Sequence, residues 1–221
     1  MIIKLCGCTR LEDVLFAADC GVDWLGFVFA DSPRRISPAA ATEMIGRLPS
    51  GIRSVGVFVD EDLEDAIRII RACGLQMVQL HGRESPAYAR RIPVPVIRSI
   101  RVENGRALAP PAHYPARAYL LDPRDPYAPG GGGAVDDWKT AVRSAPRGDL
   151  LIAGGLRPDN VRRAIIAARP FGVDVSSGVE SAPGIKDPHK LKHFIREVKS
   201  CAQKVDPDTT AGTGAVSYRK P

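Results

Sequence analysis

Residues 149–178 read DLLIAGGLRPDNVRRAIIAARPFGVDVSSG. The stretch opens on a short apolar run, Asp149 to Ala153, that meets a glycine pair, Gly154 and Gly155. An amphipathic segment follows from Arg157 to Ala168, and then a second apolar run from Phe171 to Ser177. Short runs rich in Val, Ile and Leu have the length of strands, and the longer segment has the periodicity of a helix. Strand, helix and strand in that order make a crossover unit. Strands apolar along most of their length belong to a parallel sheet covered by helices. The fold then depends on how often this unit repeats.

It repeats along the chain. "IIKLC" (2–6) precedes "RLEDVLFAADCG" (10–21), with Leu11, Val14, Leu15 and Ala18 on the expected buried face and Gly21 as the stop. "DWLGFVF" (23–29) precedes "SPAAATEMIGRLP" (37–49), where Ser37 is the expected N-cap and Pro38 the first helical residue. "RSVGVFV" (53–59) pairs with "EDLEDAIRIIRACG" (61–74), and "QMVQLH" (76–81) with "ESPAYARRI" (84–92). The fifth strand is "VPVIRSI" (94–100); its helix is expected within 103–112, against the bias of Asn104, Gly105 and two prolines. "AYLLD" (118–122) leads through a glycine-rich loop to a helix from about Asp136 to Val142. The opening stretch supplies the seventh unit and the eighth strand, and "DPHKLKHFIREVKSC" (187–201) the eighth helix. Eight unbroken units favour one closed α/β barrel, the (β/α)8 TIM barrel, over an open doubly wound sheet. The first strand is followed by "CGCTRL", which also lacks the glycine fingerprint of a dinucleotide-binding sheet. The expected organisation is one catalytic barrel over residues 1–203 and a C-terminal tail, 204–221, whose Gly, Thr and Pro without periodicity predict mobility.

Composition sets the class. The 221 residues are 44% hydrophobic and 25% charged, enough for a substantial core. No apolar run is long enough for a bilayer span, and the N-terminal residues lack the pattern of a signal peptide. Five cysteines, irregularly spaced, point to free thiols in a reducing cytoplasm. Cys6-Gly7-Cys8 lacks the spacing of a zinc pair and has no second Cys/His pair nearby, so no metal is expected. The formal charge of +6 is spread along the chain. It describes a solvated basic surface, or a field favouring a small anionic substrate, rather than a nucleic-acid footprint.

A barrel of this kind keeps its chemistry at the C-terminal ends of its strands. There stand Cys6, the Arg34-Arg35 pair, Gln79 and His81, Asp122, Gly154 and Gly155, and Asp174 with Ser176, Ser177 and Gly178. The small residues after strands seven and eight let backbone N–H groups close on an anion, the recurrent phosphate site of barrels. Taken apart from one another they are also ordinary tight turns. Cys6 and Asp122 face one opening from opposite sides. A thiolate base and a carboxylic acid on two faces of one sugar meet the needs of an aldose–ketose isomerisation. Singly, Cys6 is equally a small buried hydrophobe and Asp122 a loop-capping carboxylate. An arginine in such a loop clamps a carboxylate bidentately or is merely solvated, and His81 orients a partner or makes a structural hydrogen bond.

Taken together, "KLCGCT" (4–9), "GFVFADSPRRIS" (26–37), "VGVFVDE" (55–61), "VQLHGRE" (78–84), "LLD" (120–122), "LIAGGLRPDNVRRAI" (151–165) and "FGVDVSSGVES" (171–181) with "PGIKD" (183–187) resemble the phosphoribosylanthranilate isomerases of tryptophan biosynthesis. The likeness runs over about residues 2–200 in order. It implies conversion of N-(5-phosphoribosyl)anthranilate to 1-(2-carboxyphenylamino)-1-deoxyribulose 5-phosphate by an Amadori rearrangement, without metal or organic cofactor. By motif, Cys6 matches the family's general base, Asp122 its general acid, and Arg34 the arginine that pairs with the anthranilate carboxylate. Gly154, Gly155, Ser176, Ser177 and Gly178 match its phosphate loops, and His81 and Asp174 further substrate-site positions. Lys4, two residues before Cys6, is expected on the same side of its strand, either favouring a thiolate there or neutralised by a neighbouring carboxylate. Partners beyond a phosphorylated small molecule are not implied, and the family occurs as monomers and homodimers. Gly130 to Gly133, Ala134 and Asp136 depart from the family's usual sixth loop, which carries a hydroxyl residue, a lysine and a phenylalanine. Four glycines there predict a loop that orders with substrate. A related histidine-pathway isomerase, which typically has Asp where this chain has Cys6, and a phosphate-binding or thiol-regulatory barrel without turnover are the competing readings.

Overall fold

The computed structural model describes residues 1–108, 110, 113–123 and 138–202. The expected tail (204–221), the glycine run Gly130–Gly133 and the start of the sixth helix at Asp136 lie outside the described residues. Eight strands form the ring: β1 (Ile2–Cys6), β2 (Trp24–Val28), β3 (Arg53–Phe58), β4 (Met77–Leu80), β5 (Val96–Glu103), β6 (Ala118–Asp122), β7 (Asp149–Ile152) and β8 (Gly172–Val175). Each pairs in parallel with its neighbour in chain order, and β8 pairs with β1 to close the ring. The helices are α1 (Leu11–Cys20), α2 (Pro38–Ile45), α3 (Leu63–Cys73), α4 (Pro86–Arg91), α5 (Trp138–Ser144), α6 (Val161–Ala168) and α7 (Pro188–Ala202). The closed (β/α)8 barrel expected from the sequence is the fold.

Local chemistry sets the helix ends. Ser37 Oγ accepts from the Ala40 N–H (3.2 Å) at the start of α2, with Pro38 as its first residue. Asp62 accepts from the Glu64 and Asp65 N–H groups to open α3. Gly21 ends α1 in the left-handed region at φ 85°.

Two expectations are corrected. Between β5 and β6 the described residues contain no helix. β5 instead turns back on a short antiparallel strand, Arg106–Ala107, through Asn104 (φ 49°) and Gly105 (φ 73°). Two successive residues at positive φ make the tight hairpin turn that an Asn-Gly pair favours, and this local preference defeats the helix. In α1 the buried face is Asp13, Val14 and Ala17, while Leu15 is exposed. The face is rotated because Asp13 is drawn inward to accept the Lys186 N–H (3.0 Å).

The core has two shells. Outward-facing strand residues such as Leu5, Phe27, Val78 and Leu121 pack under the helices. Inside the ring, Trp24, Val55, Met77, Ile97, Leu120 and Leu151 fill the N-terminal half. Each of the buried aliphatic side chains among them contributes about 1.5–3 kcal/mol by leaving water. Above them, among the described residues, Cys6, Val28 and Val57 form a small apolar group at the mouth with Ala30 packed against it.

Candidate active site

Strand alternation decides what reaches the mouth. Ile3 and Leu5 of β1 point out to the helices, so Lys4 and Cys6 point into the barrel. On β4, Val78 and Leu80 point out, so Gln79 and the following His81 point in. On β6, Leu120 lies in the inner layer, and Asp122 two residues on shares its side. Cys6, His81 and Asp122 are therefore brought to one end of one barrel, on β1, β4 and β6.

Cys6 is nearly buried, at 7% exposure, against Val28 and Val57. Directly below it the fully buried Lys4 Nζ is 3.0 Å from Asp174 Oδ1. Burial alone would push this ammonium down, but the Asp174 carboxylate and the adjacent Cys6 side chain reverse that and raise it. Asp174 thus serves as the counter-charge of Lys4. Gly26 makes the arrangement possible, since a Cβ there would lie 2.9 Å from Cys6 Sγ and 3.3 Å from Lys4 Nζ.

Asp122 is 1% exposed, with His81 Nε2 3.9 Å from its Oδ2. His81 Nδ1 is 2.9 Å from Gln79 Nε2 and 3.1 Å from Ser99 Oγ. With Gln79 Nε2 as donor, Nδ1 accepts, and a proton on Nε2 would point towards Asp122. His81 is a link between the inner polar layer and the candidate acid.

The loops after β7 and β8 lie against each other. Gly154 (φ 89°) and Gly155 (φ 65°) turn the chain in the left-handed region, and a Cβ on Gly154 would lie 2.1 Å from Pro123 Cδ. Ser177–Val179 forms one 3-10 turn, and a Cβ on Gly178 would come 1.8 Å from the Leu156 carbonyl oxygen. Gly178 is thus required for the two loops to approach each other, and Gly154 for its loop to pass Pro123 after β6. Asn160 Nδ2 donates to the Gly155 carbonyl (2.8 Å) and holds the first loop to the start of α6.

Arg34 and Arg35 part company. Arg35 is exposed beside β2, while Arg34 runs back across the mouth. Its stem lies over Gly7 (φ 74°), where a Cβ would sit 2.4 Å from Arg34 Cδ and 3.2 Å from Ser176 Oγ. Its Nε and Nη2 donate to Glu180 Oε1 (2.9 Å) and Oε2 (2.6 Å). Glu180 also receives Lys186 Nζ (2.8 Å), which donates in turn to the Cys6 carbonyl oxygen (2.6 Å). Burial pushes the Glu180 carboxyl up, but hydrogen bonds from Arg34 and Lys186 outweigh it and hold the group below the usual carboxylate range. Sequence reasoning did not single out Glu180 and Lys186. Their signal was a carboxylate two residues after "SSG" and a lysine in "GIKD", each ordinary until the hairpin Glu180–Ala182 and Ile185–Lys186 folds back on β1.

The two thiols of "CGC" are unlike. Cys8 is wholly buried in the outer core, its Sγ 3.7 Å from the Leu5 carbonyl. Burial pushes its thiol up to about 12, so it stays protonated and inert.

Comparison with known proteins identifies the family. Residues 3–197 match the model of the family described as N-(5'phosphoribosyl)anthranilate (PRA) isomerase. The N-(5'-phosphoribosyl)anthranilate isomerase of Citrifermentans bemidjiense is 47% identical over 90% of this chain and 98% of its own. The crystal structure of the Thermus thermophilus phosphoribosyl anthranilate isomerase superposes with a TM-score of 0.80 at 38% identity, over 90% of this chain and 99% of that one. A third structure, at TM-score 0.75 and 36% identity over 90% and 100% of the two chains, is of the isomerase in complex with reduced 1-(o-carboxyphenylamino)-1-deoxyribulose 5-phosphate. With the barrel fold, the family match and these relatives in agreement, the chain belongs to the N-(5'-phosphoribosyl)anthranilate isomerase family.

Proposed function

We propose that this chain isomerises N-(5-phosphoribosyl)anthranilate to 1-(2-carboxyphenylamino)-1-deoxyribulose 5-phosphate, the third step of tryptophan synthesis from chorismate, with Cys6 as general base and Asp122 as general acid. The observation that carries the reading is the convergence of these two inward side chains on one mouth beside the glycine loops. Asp122, as the acid, gives its proton to the furanose ring oxygen as the C1–O bond breaks, leaving an iminium ion at C1. The iminium makes the C2 proton acidic, and the Cys6 thiolate removes it to form an enolamine. Loss of the enol O–H proton and protonation at C1 then give the aminoketose, with no net change in protons. Gly154, Gly155, Ser176, Ser177 and Gly178 would receive the phosphate on backbone N–H and hydroxyl donors. Arg34 would receive the aryl carboxylate, and His81 would steady Asp122. Asp174 contributes indirectly, by holding Lys4 under Cys6.

The chain is expected to act as a monomer or homodimer, without nucleic-acid or membrane partners. No helix among the described residues is long and apolar enough to cross a membrane. Its five free thiols support a cytoplasmic location. The test is the fluorescence loss of phosphoribosylanthranilate with wild type, Cys6→Ser and Asp122→Asn. Each variant is expected to lose about 10²–10⁴-fold in kcat while staying folded. Retention of wild-type turnover by either one removes that residue from its role.

A further inference from the structure

We propose that Glu180 and Lys186 are positioning residues of the isomerisation, a buried strut that sets Arg34 in register with Cys6. The inference rests on the reading above, in which Arg34 takes the aryl carboxylate and Cys6 the proton.

The first argument is geometric. Glu180 engages Arg34 by a fork, Nε to Oε1 and Nη2 to Oε2, which fixes both the plane and the reach of the guanidinium. The fork occupies one edge of Arg34 and leaves the Nη1 edge for another planar anion. The Arg34 side chain keeps 18% of its surface exposed, whereas Glu180 and Lys186 keep 5% and 1%. The ligand-facing member of the cluster is thus the arginine alone. Lys186 then joins the carboxylate to the Cys6 carbonyl oxygen, so the carboxylate receptor and the base share one rigid connection.

The second argument is energetic. A buried cation–anion–cation cluster is rarely a good source of stability, because packed hydrophobic residues of similar volume often do as well or better. Two cations nevertheless meet here on a single buried carboxylate. Their attachments explain it, for they join the loop after β2, the end of β1 and the hairpin that follows the Ser177–Val179 turn. The Asp13 carboxylate, which holds the Lys186 N–H from α1, and Lys190 Nζ, which donates to the Glu180 carbonyl (2.8 Å), brace the hairpin from outside the mouth.

The experiment compares kcat/KM for phosphoribosylanthranilate and for N-(5-phosphoribosyl)aniline, the same molecule without its carboxyl group. The ratio of the two values is independent of how much of a preparation is folded. Glu180→Gln is expected to lower this ratio at least tenfold, as Arg34→Met does, because Arg34 loses its fixed plane. Lys186→Met is expected to lower kcat at least tenfold on both substrates, per folded protein measured by circular dichroism. A Glu180→Gln ratio within twofold of wild type, while Arg34→Met collapses it, overturns the positioning role and leaves the reaction intact. An unchanged kcat in Lys186→Met overturns the link to Cys6. A wild type that does not turn over the carboxylated substrate would instead sink the reading beneath the proposal.

Discussion

The two ends of this barrel are built from the same strands and do opposite things. At the N-terminal end the inward residues are Trp24, Met77, Ile97, Leu120 and Leu151. One or two steps along the same strands they become Gly26, Gln79, Ser99 and Asp122, with Lys4 and Cys6 beside them. The first set stabilises by leaving water. The second set contains the buried polar side chains Lys4, Gln79, Ser99 and Asp122, which carry a desolvation cost that their partners offset in part. Stability and chemistry are therefore segregated along the barrel axis, as in other barrels. The N-terminal end also holds a cavity of about 370 Å3 lined in part by Trp24, Met77 and Phe171.

The sharpest challenge to that segregation is Lys4, which lies where the two halves meet. Lys4→Met removes the ammonium group from beside the buried Asp174 carboxylate and is expected to cost about 3–5 kcal/mol in denaturant unfolding. It should also slow iodoacetamide alkylation of Cys6 at neutral pH, whereas unchanged alkylation would confine Lys4 to a structural role. Leu120→Ala, one layer lower, is expected to cost about 2–5 kcal/mol. Its kcat per folded molecule should stay within threefold of wild type; a larger fall would show that the two halves are coupled.

A smaller effect tests the mouth by pH. The Glu180 carboxyl is held below its ordinary value in the folded protein, so its contribution is complete above the unfolded value, about 4.3, and fades as pH falls through the folded one. Stability measured from pH 6 down to pH 2 should therefore fall more steeply in wild type than in Glu180→Gln. Parallel curves would mean that the cluster contributes nothing to acid sensitivity. The smallest expected effect lies outside both halves. Asn104→Ala, which places a β-carbon where φ is 49°, should cost about 1 kcal/mol and leave activity alone.

Much of this was legible beforehand because it depends on local rules. The alternation of apolar runs and amphipathic segments dictated the ring, and Ser37-Pro38 and Gly21 marked helix ends by mechanisms that need no tertiary context. Cys6, His81 and Asp122 were legible because each stands at the end of an inward-reading strand. Among the described residues between β5 and β6 the expected helix gave way to a hairpin because the turn preference of Asn104 and Gly105 outweighed the regularity of the other units. The rotated face of α1 was hidden because Asp13 is buried only to serve Lys186, far along the chain. Glu180 and Lys186 were hidden for the same reason. Their meaning lies in contacts with Arg34 and Cys6 that periodicity does not encode.

Those contacts have a consequence for how the protein comes into being. The Lys4–Asp174, Arg34–Glu180 and Lys186–Cys6 bonds join residues 170, 146 and 180 positions apart. Pairings so distant in the chain form late, because loop closure must precede them. A nascent chain bearing only β1 to β4 already contains Cys6, Arg34 and His81, yet none of the three has its full set of neighbours. Competence of the mouth is thus a report that the last strand has closed the ring, and during synthesis it should appear abruptly with the hairpin at residues 180–186.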